Sequence, residues 1–331
     1  MTAALLTEEE LRAAAGLDIA ALEVIERGFA ALADGQVIMP PVLRLDVPEK
    51  NGEMDVKTAY IRGFPSFALK VSCGFFDNPK KGLPSLGGLM TLLDAETGHV
   101  EAVLLDNGYL TDLRTALAGA VAAKYLARKN ARVAGVLGTG MQARLQIEAL
   151  MLVRDIKTVL VWGRNREHAE SCARAIAEKT GLKTQTRRNA EDVVRGCDIL
   201  VTTTPAQEPL VKADWLHEGL HVTAMGSDAE DKNELEPNVL LRADRYVCDS
   251  AAQVKLLGEL HHALKAGILR DDYPVTEIGK IITGAEPGRE NDAEITICDL
   301  TGTGVQDTAI AVYAFGKLRS MKKPAAATAT K

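Results

Sequence analysis

The fold of this chain is decided by the stretch Val133-Ala134-Gly135-Val136-Leu137-Gly138-Thr139-Gly140-Met141-Gln142-Ala143. Its apolar first half contains β-branched valine and predicts a buried strand, while the apolar spacing from Met141 to Leu150 predicts a helix. Gly-x-Gly-x-x-Ala stands between the two. Strand, glycine turn and helix therefore follow one another in the order that the dinucleotide-binding fingerprint requires.

The small residues of this fingerprint each have an expected task. Gly138 makes a tight turn, Gly140 lacks the Cβ that would block a pyrophosphate, and Ala143 lets the helix pack closely on the strand. The N-terminus of the helix offers free N–H groups and the positive end of its dipole to phosphates. The alternative is a glycine-rich turn that binds nothing. The residues that we predict to bind a dinucleotide here are Gly138, Thr139, Gly140, Met141 and Gln142.

Length and composition limit the class of protein. A chain of 331 residues favours two domains over one. Its 47% apolar and 25% charged residues are typical of a soluble globular protein, and a net charge of −6 gives no reason to expect nucleic acid or an anionic membrane surface. No apolar run approaches the roughly 18 residues of a bilayer span, and the N-terminus lacks a signal pattern. Five scattered cysteines without Cys-x-x-Cys indicate free thiols in a reducing cytoplasm.

Patterns on the two sides of the fingerprint predict two domains of different construction. Before it, helices up to about residue 33 and strand-like runs between 42 and 106 predict a strand-rich α+β domain. After it, strands and helices alternate as far as residue 299, which predicts a Rossmann-type, doubly wound parallel sheet and an α/β fold class. A final helix from residue 305 is expected to return to the first domain.

The predicted domains follow from this order. The Rossmann-type domain, 115–305, is inserted into a domain for dimerisation and substrate that consists of 1–114 and 306–320. The low-complexity tail, 321–331, is predicted to be disordered.

The tip of the second strand after the fingerprint bears on which dinucleotide is bound. An Asp or Glu stands there when the ribose 2′-hydroxyl is recognised. Here the strand ends in Gly163-Arg164-Asn165-Arg166, and a guanidinium can pair with a 2′-phosphate that a carboxylate would repel. We predict that NAD(P) is bound, with NADP favoured over NAD, and that Arg164, Asn165 and Arg166 contact it. The alternative is that both arginines are solvated loop charges.

A later strand end supplies a candidate for the chemistry. Ligands of doubly wound sheets collect at the carboxyl ends of the strands, and the run from Ala224 to Leu235 begins at such an end. Asp228, which follows a Gly-Ser turn, could face the nicotinamide as an acid or a base. The alternative is a loop carboxylate that caps the next helix. The further residues predicted to contact the cofactor are Thr203, Met225, Gly226, Ser227 and Gly304.

Basic residues are the natural partners of a substrate carboxylate. Arg44, Lys57 and Lys70 lie on strand-like runs, and Lys70 would be costly to bury without an anion. Arg114 lies at a predicted helix start, where a cation opposes the helix dipole and invites a functional explanation. Each alone is more often a surface charge, and Lys57 fits that interpretation best. No Glu or Cys at metal-ligand spacing supports His261-His262, so no metal is assigned.

Taken in chain order, these motifs resemble those of the ornithine cyclodeaminase/μ-crystallin family. The similarity extends from the first helices to about Leu318. The residues that carry it are Lys70, Arg114-Thr115-Ala116, Gly138-x-Gly140-x-x-Ala143, Gly226-x-Asp228 and Gly302-x-Gly304-x-Gln306-Asp307. Runs that begin at Phe75, Leu104 and Gly226 look like the branch of the family found with ectoine and hydroxyectoine utilisation.

The resemblance implies a homodimer that pairs through its strand-rich domains. It implies that Arg44, Lys70 and Arg114 hold the α-carboxylate of a small amino acid or imino acid. Asp228 would act on the amine or on water, and Thr115 would help to place the nicotinamide. The chemistry shared within the family is hydride exchange between the nicotinamide and the α-carbon through an imine, for which these residues would have to meet at one ligand.

Two departures from the family pattern bear on the net reaction. Cyclodeaminases of the ornithine type usually carry Pro-Gly-Lys-Thr-Glu after the Asp, where this chain has Ala229-Glu230-Asp231-Lys232-Asn233-Glu234. The arginine-bearing strand tip looks more like that of ketimine reductases that use NADPH. The predicted activity is that of an NAD(P)-dependent cyclodeaminase, an ammonia-lyase, acting on a small amino or diamino acid through an α-imine. The alternatives are an imine reductase or amino-acid dehydrogenase, and an NADP-binding protein without turnover.

Overall fold

The structure of the chain, a computed structural model, describes residues 3–322. Its strands are β1 Ala4–Thr7, β2 Val37–Ile38, β3 Leu43–Val47, β4 Gly52–Ile61, β5 Ser66–Phe75, β6 Leu86–Asp94, β7 Val100–Leu105, β8 Val133–Leu137, β9 Thr158–Trp162, β10 Lys183–Thr186, β11 Ile199–Thr202, β12 His221–Ala224, β13 Arg245–Cys248, β14 Thr276–Glu277 and β15 Thr296–Asp299. Its α-helices are α1 Glu8–Ala14, α2 Ile19–Ala33, α3 Tyr109–Leu126, α4 Met141–Leu150, α5 Arg166–Thr180, α6 Ala190–Val194, α7 Ala251–Val254, α8 Gly258–Lys265, α9 Ile278–Ile282 and α10 Gly304–Lys322.

The chain divides into two compact units. The first consists of residues up to Gly16, of Gln36–Thr111 and of the stretch from Gly304 on, and the second consists of Leu17–Gly35 and Asp112–Thr303. The domain boundaries drawn from the sequence stay a prediction. The two units differ from them mainly in α2, which groups with the second unit, where Glu26 pairs with Lys124 of α3 at 2.6 Å.

The first unit is built on a mixed sheet in the order β1-β7-β6-β5-β4-β2, with β3 beside β4. Alternate residues of its strands are buried, and α10 packs on β4 and β5. The Thr308 hydroxyl of α10 donates to the carbonyl of Ala59 at 2.7 Å and accepts from the N–H of Ala68 at 3.0 Å. This contact confirms that the last helix returns to the strand-rich part of the chain.

Gly304, the first residue of α10, lies directly against β4. A Cβ at this position would overlap with the backbone of Thr58, whereas a Cβ on Gly316 of the same helix would meet nothing within 4 Å. Close packing of helix on strand therefore accounts for this glycine, which the sequence analysis assigned to the cofactor. Its contact with a cofactor stays a prediction.

The two glycines of α10 give a matched pair for a stability test. We expect Gly304→Ala to destabilise the protein by about 3 kcal/mol, because the helix must move away from β4. Gly316→Ala is expected to be neutral or to stabilise by about 0.5–1 kcal/mol, because Ala favours the helix. Urea unfolding measures both, and equal effects would contradict the packing argument.

The second unit is an eight-stranded, entirely parallel sheet in the order β10-β9-β8-β11-β12-β15-β13-β14. The predicted strand and helix of the fingerprint are β8 and α4. Chain order reverses where β11 pairs with the other side of β8, which is the switch point at which such sheets bind ligands. Apolar clusters cover both faces of the sheet. The predicted fold class, with its doubly wound parallel sheet, is confirmed.

Four further expectations concern the tail, the cysteines, membrane-spanning segments and metal ions. The predicted disordered tail begins too early, because residues 321 and 322 belong to α10, and residues 323–331 lie outside the described part. All five cysteines have free thiols. Among residues 3–322, no helix combines the length and the apolar character needed to cross a bilayer, and no group of three or more His, Cys, Asp or Glu is arranged to hold a metal ion.

Candidate functional site

The turn between β8 and α4 has the geometry that the fingerprint requires. Gly138 has a φ of +126°, and a Cβ there would overlap with the side chain of Thr203. Gly140 precedes α4 as its N-cap, and a Cβ there would meet nothing within 4 Å. The protein itself thus requires glycine at 138, whereas the space beside Gly140 is open to a ligand. This cradle and the N-terminus of α4 fit a pyrophosphate.

Two glutamines of α4 connect the fingerprint to α3. Gln142 donates to the Asp112 carboxylate at 2.9 Å, so its side chain is directed at α3. Gln146 is fully buried and donates to the carbonyl of Thr115 at 3.0 Å and to the sulfur of Met225 at 2.7 Å. Gln146 thereby links two predicted site residues. Gln146 is not among the residues predicted from the sequence, although its i, i+4 spacing from Gln142 was a signal.

The three predicted cofactor residues at the tip of β9 are all exposed but differ in their contacts. Asn165 caps α5 by accepting from the N–H of His168 at 3.0 Å. Arg166 pairs with Glu170 at 2.8 Å. Within residues 3–322, no carboxylate pairs with Arg164. Arg164 is therefore the cation of this tip that fits a 2′-phosphate, and the other two side chains have local structural roles. Thr139 of the fingerprint packs its methyl group against the tip at Gly163.

The turn after β12 holds Asp228 in place through Lys232. The Lys232 ammonium lies 2.7 Å from the Asp228 carboxylate, whose side chain is 46% exposed, and the buried Ser227 hydroxyl donates to the Lys232 carbonyl. The next helical segment, at 237–242, has Glu236 at its N-cap, so Asp228 does not cap it. A half-exposed, ion-paired carboxylate beyond the end of a central parallel strand is able to exchange protons with a ligand at this edge.

Arg114 and Thr115 lie in the second turn of α3. The helix begins at Tyr109, so the expectation that Arg114 stands at a helix start is wrong. Arg114 is only 6% exposed, and its guanidinium fills the side-chain space of Gly302, which has a φ of +78°. A buried guanidinium is a candidate for binding an anionic ligand. The argument from the helix dipole does not support this role, because Arg114 is not at the helix start.

Lys70 of β5 is the buried cation of the first unit. It is 2% exposed, and its ammonium lies 3.0 Å from the carboxylate of Asp307, which is fully buried in α10. The expected anion is therefore provided by the protein itself. Lys57, directly opposite on β4, is 6% exposed, so the interpretation of Lys57 as a surface charge is wrong. Strand alternation places both lysines on the face that α10 covers.

Arg44 of β3 lies among carboxylates of its own and the neighbouring strand. It pairs with Asp46 at 2.9 Å and with Glu53 at 2.7 Å, and Asp55 lies 3.9 Å away. The side chain of Arg44 remains 34% exposed. Its role in holding a substrate carboxylate stays a prediction, as does the meeting of Lys70, Arg114 and Asp228 at one ligand.

The chain is similar to known proteins along nearly its whole length. A family model described as the ornithine cyclodeaminase/mu-crystallin family matches residues 1–322. An uncharacterized cyclodeaminase of Sinorhizobium fredii is 54% identical over 315 residues, which are 95% of this chain and 95% of that protein.

Two solved structures share the fold. Thermococcus litoralis Δ1-pyrroline-2-carboxylate reductase, in complex with NADH and L-proline, has a TM-score of 0.91 and 32% identity and covers 96% of this chain and 98% of that one. An archaeal alanine dehydrogenase dimer with bound NAD has a TM-score of 0.90 and 38% identity and covers 98% of both chains. The chain therefore belongs to the ornithine cyclodeaminase/mu-crystallin family, the family that its motifs resemble.

Proposed function

We propose that this protein interconverts a small α-amino acid and its α-imine with a nicotinamide dinucleotide. The observation that carries the proposal is that one unit contains both the open glycine turn at β8–α4 and the carboxylate of Asp228, which follows the end of β12. Relatives of stated activity support it, because the Thermococcus reductase was solved with NADH and L-proline and the archaeal alanine dehydrogenase with NAD.

We assign the substrate α-carboxylate to Lys70 and Arg114. Both side chains are buried, at 2% and 6% exposure, and Lys70 already pairs with Asp307, so a substrate carboxylate would join buried charges that interact more strongly than solvated ones. The guanidinium of Arg114 also suits the two oxygens of a carboxylate. Fixing the carboxylate fixes the α-carbon beside it, which is the positioning that a hydride step needs. When bound, the dinucleotide supplies or accepts this hydride at its nicotinamide ring.

We assign proton exchange at the substrate nitrogen to Asp228. Reduction of an imine adds a hydride to carbon and a proton to nitrogen, and oxidation of the amine reverses both. The Asp228 carboxylate, 2.7 Å from the Lys232 ammonium, can accept a proton in the oxidative direction. A loop carboxylate with 46% exposure can also exchange that proton with water.

Two net reactions share these parts, and we propose the redox reaction, in which an imino acid is reduced or an amino acid is oxidised. The two solved relatives above are a reductase and a dehydrogenase. Cyclodeamination of a diamino acid is the second candidate, because the Sinorhizobium relative is named a cyclodeaminase. The ectoine-utilisation setting, to which three runs of the sequence point, stays a prediction.

Nicotinamide absorbance and ammonia together test the proposed function. The protein is mixed with NADH or NADPH and a panel of cyclic imino acids, or of 2-oxo acids with ammonia, and with diamino acids and oxidised cofactor. We expect stoichiometric loss of the reduced-nicotinamide absorbance with an imine. Ammonia release from a diamino acid at constant absorbance would instead establish the cyclodeaminase. Cofactor binding without turnover across the panel would overturn the proposal.

The preference for NADP over NAD is supported by Arg164 and opposed by the NAD and NADH of the solved relatives. If Arg164 binds the 2′-phosphate, Arg164→Ala should weaken NADPH about tenfold and leave NADH unchanged. Arg166→Ala is the control, because Arg166 already pairs with Glu170. Fluorescence titration gives the four affinities. An equal loss for both cofactors would remove the argument for NADP.

We further propose a homodimer that forms through the outer face of the mixed sheet. On this face Leu43 pairs across the sheet with Val56, and Val56 with Val71, while Leu69 lies on the same face of β5. Large apolar side chains along the sheet are exposed: Leu5 65%, Ile38 69%, Leu43 57%, Leu45 49%, Leu69 37%, Val100 43% and Leu105 40%. An apolar surface of this extent is typical of a protein interface, and the alanine dehydrogenase relative is a dimer.

A charge at the centre of this face should separate the subunits. We expect Leu69→Asp to raise the dimer dissociation constant at least about 100-fold, because the carboxylate would be buried against the partner. Ile268→Asp is the matched control, since Ile268 is 38% exposed but lies in the second unit. Sedimentation velocity over a concentration series measures both, and a wild type that is monomeric throughout would contradict the dimer.

A further inference from the structure

A set of buried acids in the second unit has no part in the proposed chemistry. Glu234, Asp249, Glu259 and Asp299 are each at most 1% exposed and lie at or beyond the carboxyl ends of β12, β13 and β15. Burial raises the pKa of Glu234, and burial with the neighbouring acids raises that of Glu259. Burial also raises the pKa of Asp299 to about 7. Burying four acids is costly, so the hydrogen bonds that their carboxylates accept must compensate for that cost.

Two links join three of these acids, because Asp299 holds the backbone of Glu259 and Glu259 holds that of Glu234. The Asp299 carboxylate accepts from the N–H of Glu259 at 2.8 Å, at the start of α8, where no N-cap side chain is available. The Glu259 carboxylate accepts from the N–H of Glu234 at 2.9 Å and of Leu235 at 3.0 Å. The hydroxyl of Tyr246 donates to Asp299 at 2.6 Å. The acids therefore form a continuous chain that ends at Glu234.

Asp249 extends this chain toward Arg114. Its N–H donates to the carbonyl of Asp299 at 3.2 Å, and its carboxylate accepts from the N–H of Gly302 at 2.7 Å and from the Thr301 hydroxyl at 3.0 Å. The guanidinium of Arg114 fills the side-chain space of Gly302. The network thus fixes the backbone against which Arg114 lies.

At the other end, Glu234 joins two loops that carry predicted site residues. One carboxylate oxygen accepts from the N–H of Thr204 at 2.6 Å and from its hydroxyl at 2.7 Å. The other accepts from the Thr202 hydroxyl at 2.6 Å and from the N–H of Gly226 at 2.8 Å. Thr203 lies between the partners Thr202 and Thr204, and Gly226 begins the turn that bears Asp228. A single side chain therefore sets the spacing of both loops.

We propose that Glu234 is a positioning residue that holds the Asp228 turn and the Thr203 loop in register for cofactor binding and turnover. In the same network, Glu259, Asp299 and Asp249 fix the backbone of Glu234 and the Gly302 segment. The part concerning turnover rests on the proposed function. A carboxylate is required because both of its oxygens accept from a backbone N–H. An amide has one accepting oxygen, so the N–H of either Thr204 or Gly226 would face an NH₂ group.

Glu234→Gln keeps the shape of the side chain and removes one acceptor. Glu236→Gln is the control, since the Glu236 carboxylate accepts from a single backbone N–H, that of Ala213 at 3.0 Å. Glu259→Gln disturbs the same network at the N–H groups of Glu234 and Leu235, but it leaves in place the carboxylate of Glu234 that accepts from Thr204 and Gly226. For each full-length variant, hydrogen exchange is followed in segments 202–206 and 225–229, together with NADH affinity, kcat and the thermal midpoint.

For Glu234→Gln we expect exchange in both segments to accelerate about tenfold. NADH affinity should fall at least about fivefold and kcat at least about 30-fold. Glu236→Gln should stay within about twofold of the wild type in all three. Glu259→Gln should lower the thermal midpoint as much as Glu234→Gln does but should lower kcat much less. If Glu234 had a merely structural role, the decrease in kcat would instead follow the decrease in stability.

The wild type and the variants separate the two proposals. A wild type that binds NADH but turns over no substrate counts against the proposed function. Hydrogen exchange and NADH affinity of Glu234→Gln then test the positioning role of Glu234 on their own. Unchanged exchange in segment 225–229 of Glu234→Gln, or wild-type NADH affinity despite faster exchange, overturns the positioning role. Equal kcat losses for Glu234→Gln and Glu259→Gln at equal stability overturn it too.

Discussion

Replacing Lys70 by Met is expected to lower kcat/KM at least about 10³-fold, since truncating one partner of a buried charge pair costs roughly 4 kcal/mol. The Lys70 side chain is 2% exposed, so water cannot replace its ammonium at a substrate carboxylate. NADH affinity should change by less than about threefold, because Lys70 is assigned to the substrate carboxylate and not to the dinucleotide. Steady-state kinetics and fluorescence titration measure these two quantities.

The same substitution removes the cation that faces Asp307, and stability must be separated from catalysis. We expect Lys70→Met alone to reduce the free energy of unfolding by roughly 3–5 kcal/mol. The double variant Lys70→Met/Asp307→Asn should recover most of this loss, because its buried pair is neutral, while turnover stays lost. Lys80→Met is the surface control, since Lys80 is 77% exposed beside Asp77 and its ion pair should contribute less than about 1 kcal/mol. An active double variant would show that Lys70 serves folding alone.

Replacing Asp228 by Asn is expected to lower kcat at least about 10³-fold and to leave NADH affinity within about twofold. The amide has nearly the shape of the carboxylate but cannot accept a proton at physiological pH. The Gly226-Ser227 turn should survive, because the Ser227 hydroxyl donates to the Lys232 carbonyl rather than to Asp228.

Asp231→Asn is the matched control for this variant. Asp231 lies in the same loop and accepts from the side chain of Gln207 at 2.6 Å on the exposed surface. The kcat of Asp231→Asn should stay within about twofold of the wild-type value. If Asp228→Asn keeps more than about a tenth of the turnover, proton transfer belongs to another group and the assignment fails.

The sequence by itself determined the features that depend on residues close together in the chain. Glycine at 138 indicates the turn, because only glycine adopts its φ of +126° without strain and leaves room for Thr203. The alternation of short apolar strands with helices requires parallel pairing, since each crossover returns the chain in the same direction. The capping box that Thr7 and Glu10 form at the start of α1 is local in the same sense, since its two residues lie three apart.

Only the tertiary structure decided which charged residues are buried and what they contact. A period of two separates the faces of β4 and β5 but does not show that α10 covers the face of Lys57 and Lys70, nor that Asp307 supplies the anion. The chain of acids behind Glu234 was equally hidden, because its members come from separate strand ends that sheet order makes neighbours. Burial and ion pairing arise from contacts between residues far apart in the sequence, and such contacts leave no periodic or short-range pattern.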